Sequence, residues 1–116
     1  MVTGPSLFGM GDTKLTHVFD GFGRVSSFQI SDGEVELSST LIDCKWLKTC
    51  QEKNKIASGL LFRETNPPRW QSKIPLVNII GVFQNWDNNW VMPYRMPDKK
   101  TFVAMTDSSF ILKIDP

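Results

Sequence analysis

The one histidine of the chain, His17, lies in the stretch His17-Val18-Phe19-Asp20-Gly21-Phe22-Gly23-Arg24-Val25. An imidazole close to a carboxylate has three uses. It can be a general base oriented by Asp20, a metal ligand, or a polar group that shapes a turn. The base needs an exposed nucleophile, and no Gly-x-Ser-x-Gly turn occurs in the sequence. A mononuclear metal centre needs several ligands of matched softness. One histidine cannot build an imidazole site, and the acidic residues are scattered. Glu34 and Glu36 share one face of a hairpin and read as solvated carboxylates. Cys44 and Cys50 form no Cys-x-x-Cys pair and have no Cys/His cluster around them, so zinc is not expected. Gly9-Met10-Gly11-Asp12 and Gly21-Phe22-Gly23 match neither phosphate-loop pattern, and neither opens a helix. Composition and spacing alone name no reaction.

Composition bounds the partners. Thirteen basic and twelve acidic residues leave a formal charge of +1, which is no electrostatic footprint for nucleic acid. No apolar run approaches the ~18 residues of a membrane-spanning helix. The opening Met1–Lys14 has neither the basic-then-apolar order of a secretory signal nor an Arg-rich amphipathic pattern. Both cysteines are therefore read as free thiols in an intracellular setting, cytoplasm or plastid, with the compartment left open. At 116 residues and 41% hydrophobic content the chain is read as one unit with a core. The four tryptophans, Trp46, Trp70, Trp86 and Trp90, belong to that core sooner than to a ligand tunnel.

The elements that must position these residues are mostly strands. Asp32-Gly33 between two alternating runs marks a two-residue hairpin turn. It pairs Ser31 with Glu34, Ile30 with Val35, Gln29 with Glu36 and Phe28 with Leu37, so the apolar partners share a face. Asp43 is expected to cap a helix of about three turns. Trp46, Leu47 and Cys50 form its apolar stripe, and Asn54 stands near its end. Residues 56–62 read as a buried strand, residues 63–75 as a proline-rich crossing loop, and residues 76–83 as a short buried helix or strand. Trp90, Met92, Tyr94 and Met96 alternate along another strand, in which Pro93 points to an edge or a bulge. Pro97–Lys100 makes a turn. Two more strands follow, the last lined by Phe110, Leu112 and Ile114. Its outer edge has nothing after it in the sequence to cover it, which suggests a piece of a larger fold.

The order of these pieces is similar to the N-terminal part of the carotenoid cleavage oxygenases. The resemblance rests on Gly4-Pro5-Ser6-Leu7-Phe8, on His17-Val18-Phe19-Asp20-Gly21 with Val18 for the family's usual tryptophan, and on the Phe28–Val35 hairpin. It continues through the helix after Asp43 and through Trp90–Pro116, where Met105-Thr106-Asp107 carries Asp for the family's Glu. It is weakest over residues 65–88. The resemblance implies an all-β fold, a seven-bladed β-propeller of antiparallel strands, of which residues 1–116 with their one short helix would be the N-terminal fragment. It implies a non-haem Fe(II) held by four histidines, an apolar polyene substrate (carotenoid, apocarotenoid or retinoid) cleaved by O₂, and peripheral membrane contact through a helical dome. The family's iron histidines all lie beyond the last strand seen here. This chain is then expected to supply no catalytic, cofactor-binding or metal residue and to bind no iron alone, and His17 is expected to shape a turn. A non-catalytic all-β interaction module derived from the same propeller is the alternative. A free-standing barrel for an apolar ligand is a third reading, less consistent with the uncovered last edge.

Overall fold

The computed structural model describes residues 1–57, 65–68, 76, 87–106 and 111–114. Nine strands and one helix occur among them, β1 (Val2–Leu7), β2 (Gly9–Met10), β3 (Thr13–Leu15), β4 (Phe22–Ser31), β5 (Glu34–Leu41), α1 (Lys45–Lys53), β6 (Thr65–Asn66), β7 (Met92–Arg95), β8 (Phe102–Met105) and β9 (Ile111–Ile114). They form three three-stranded sheets, in the orders β1-β4-β5, β2-β3-β6 and β7-β8-β9. Every pairing is antiparallel. The class is all-β with one short helix, as the alternating patterns led us to expect.

The hairpin register is the one that the turn chemistry dictates. Ser31 faces Glu34, Ile30 faces Val35, Gln29 faces Glu36 and Phe28 faces Leu37. Asp32 and Gly33 both take positive φ, 52° and 81°, as a two-residue turn matching the strands' right-handed twist requires. A Cβ added at Gly33 would meet nothing within 4 Å, so a substitution there is charged for backbone conformation alone. Gly33→Val is expected to cost about 1–2 kcal/mol, read as a lowered midpoint in thermal unfolding. An unchanged midpoint would mean that the turn does not hold the register.

Strand β4 is the spine of the core, because its two faces serve two clusters. Phe22, with no exposed surface, packs with Trp46, Leu47, Cys44, Cys50, Ile56 and Leu15. On the other face Val25 packs with Ile42, Ala104 and Ile114, backed by Trp90, Phe102 and Leu112. The alternation of Phe22 and Val25 along one strand thus joins the helix to the β7-β8-β9 sheet. Each large side chain taken fully from water contributes roughly 1.5–3 kcal/mol.

The helix begins differently from the sequence-based expectation. Cys44, not Asp43, is the N-cap, and its sulfur accepts from the Leu47 N–H at 3.4 Å. The reason is a distant carboxylate. Asp87 accepts from the N–H groups of Lys45 at 2.6 Å and Trp46 at 3.1 Å, so the first turn is already satisfied by charge-assisted bonds. Asp43 turns outward to Lys48 at 2.9 Å, with both side chains largely exposed. The other end follows expectation. Asn54 adopts the left-handed conformation, and its N–H closes on Cys50 O and Gln51 O. Trp46, Leu47 and Cys50 are the buried stripe.

Strand β7 is at the edge of its sheet, which accommodates Pro93. Its alternating Met92 and Tyr94 are exposed, whereas Pro93 is on the same face as Ala104 and Leu112, the face that packs on the core. Leu112 and Ile114 line the inner side of β9 as expected. Ile56 and Ala57 are buried, while the rest of the strand read over 56–62 and the element read over 76–83 lie outside the described residues, Leu76 excepted. Within the loop read over 63–75, Thr65–Asn66 pairs with β3. Phe110 also lies outside the described residues.

The Pro97–Lys100 turn is organised by Asp98. Its carboxylate accepts from the Lys100 and Thr101 N–H groups, each at 2.9 Å, and from the Thr101 hydroxyl at 2.6 Å. The Thr101 hydroxyl, then the two amides, lower its pKa from 3.8 to about 2. The folded turn therefore takes up a proton less readily than the unfolded chain does. Its contribution is complete above about pH 4 and is lost as pH falls towards 2. Protection of the Lys100 and Thr101 amides, taken relative to intrinsic exchange at each pH, should fall over that window, and Asp98→Asn should remove that pH-dependent loss.

Candidate functional site

The residues with chemical potential converge where the turn after β3 meets the segment 87–90. His17 caps a single 3-10 turn, Val18–Asp20. Its Nδ1 accepts from the Phe19 N–H at 3.2 Å, and its carbonyl accepts from the Asp20 N–H at 3.1 Å. Nδ1 thus stands as an acceptor whose lone pair faces the backbone. Asp20 is buried at the end of the same turn. The His17 and Phe19 rings are tilted at 5.5 Å, and Phe19 stacks on Trp90 at 5.9 Å. His17 is therefore a turn residue in this structure.

Segment 87–90 is the polar hub. Besides Asp87 on the helix, Asn88 lies buried against β4 and uses both ends of its amide. Its Oδ1 accepts from the Gly23 N–H at 2.8 Å and its Nδ2 donates to the Gly21 carbonyl at 2.7 Å. Gly23 permits this approach, since a Cβ there would lie 2.9 Å from Trp90 Cβ and 3.3 Å from Asn88 Oδ1. Asn89 is fully buried beside it. These three residues were not singled out by sequence reasoning. The available signal was the run Asp87-Asn88-Asn89 set between two tryptophans, a polar knot in apolar company.

The thiols are not poised for reaction. Cys44 and Cys50 are buried and form no disulfide, and Cys50 Sγ accepts from the Ala57 N–H at 3.1 Å. Burial pushes the Cys44 thiol up to about 12, against the opposing pull of the Leu47 N–H and with Asp87 adding to the rise. Such a group stays a thiol, whereas nucleophilic cysteines are thiolates. Glu34 and Glu36 are exposed. No group of three or more His, Cys, Asp or Glu that could hold a metal ion occurs among the described residues. Among them, too, no helix is long and apolar enough to cross a membrane.

What these parts define is a scaffold: antiparallel sheets and a helix locked by one asparagine and one aspartate. The sequence pattern of the family described as RPE65, retinal pigment epithelial membrane protein, matches residues 2–116. The chain therefore belongs to this family, the carotenoid cleavage oxygenases. It is 28% identical over 120 aligned positions to β,β-carotene 15,15'-dioxygenase of Rattus norvegicus, and 27% identical to that of Mus musculus. Each alignment covers 97% of this chain and 20% of the relative, so the chain spans about a fifth of their length. No solved structure matches it significantly.

Proposed function

We propose that these 116 residues are the opening part of a non-haem Fe(II)-dependent dioxygenase that cleaves a double bond of an apolar polyene with O₂. The observation that carries this reading is the family match along residues 2–116, together with relatives named as β,β-carotene dioxygenases. The substrate class is a carotenoid, apocarotenoid or retinoid. The sheets described above would be pieces of a seven-bladed propeller, which also meets the membrane surface peripherally. The residues of this chain do not fit an iron site. Its one histidine is committed to the Phe19 amide, and four histidines cannot come from one. The chain's part is structural. It builds the first sheets and the Asp87–Asn88 lock, and the ligands belong to the rest of the longer polypeptide.

A chimera tests this. The matching fifth of the rat β,β-carotene 15,15'-dioxygenase is replaced by residues 1–116, and the product is assayed for iron content and polyene cleavage. Retained iron and cleavage are expected, with His17→Asn leaving the iron content unchanged. A folded chimera that holds iron yet cleaves no polyene would favour the non-catalytic module and overturn the reading.

A further inference from the structure

We draw no further inference here: the strongest candidate, the face of the β1-β4-β5 sheet with Arg24 in its polar belt and Phe28, Ile30, Val35 and Leu37 exposed at its tip, lies open in a chain that spans about a fifth of its relatives' length, and nothing in the structure shows what covers it.

Discussion

Asn88→Ala is expected to destabilise the fold by about 4 kcal/mol, a large share of the roughly 5–15 kcal/mol that holds a domain together. The mechanism is specific. Asn88 is the partner of a buried N–H and a buried C=O on the same stretch of β4, at Gly23 and Gly21. Truncation removes two hydrogen bonds and leaves both backbone groups without their partner, at about 1–3 kcal/mol for each. The space is too closely lined by Trp90 and Ile42 for the strand to shift freely, since both already stand near Gly23. Asn88→Asp separates the two halves of the interaction. It keeps an acceptor for Gly23 but turns a second oxygen towards the Gly21 carbonyl, so it should be no better than alanine. Urea unfolding followed by tryptophan fluorescence measures both variants. A loss below about 1 kcal/mol for Asn88→Ala, the scale of a surface change, would mean that segment 87–90 rests on the sheet without locking it.

The contrast between Asn88 and the hairpin shows what the sequence made legible. Turn chemistry and strand alternation are local, so Asp32-Gly33 and its flanking residues sufficed to set the four pairs from Phe28–Leu37 to Ser31–Glu34, in a ladder that runs on to Arg24–Leu41. The buried stripe Trp46, Leu47 and Cys50 was legible for the same reason, being written at helical spacing. The hub was not. Asp87 reaches the amides of Lys45 and Trp46 across more than forty residues of chain, and no periodicity announces a contact of that kind. The same distance explains the misplaced cap. Asp43 carries the better capping side chain, yet Asp87 already satisfies the helix end and frees Asp43 for Lys48. Exposure was illegible too. Alternation showed that Phe28, Ile30, Val35 and Leu37 share a face, but not that this face lies open while the Phe22 end is covered. No reaction was legible in composition and spacing, because one histidine and scattered carboxylates match no ligand or triad pattern.

Trp46→Ala should cost about 3–5 kcal/mol, the range for removing a large aromatic from a core, whereas Trp46→Phe should cost about 1 kcal/mol. The difference follows from what the indole does. Its ring stacks on Phe22 with centroids 4.4 Å apart and joins the helix to β4 through cluster contacts with Leu47 and Cys50. Its Nε1–H, in contrast, is buried with no hydrogen-bond partner among the described residues, so losing it forfeits no bond seen there and removes an unsatisfied donor. Phenylalanine keeps an aromatic face for Phe22 and leaves only the volume of the second ring to be filled. Alanine removes the stack as well, and Phe22 on the rigid spine of β4 cannot follow the helix inward. Thermal unfolding monitored by far-ultraviolet circular dichroism separates the cases, because a 1 kcal/mol change moves the midpoint of a domain this size by about 4–8 °C. If Trp46→Phe proves as damaging as Trp46→Ala, the indole N–H is engaged after all, and the donor's partner becomes the next residue to find.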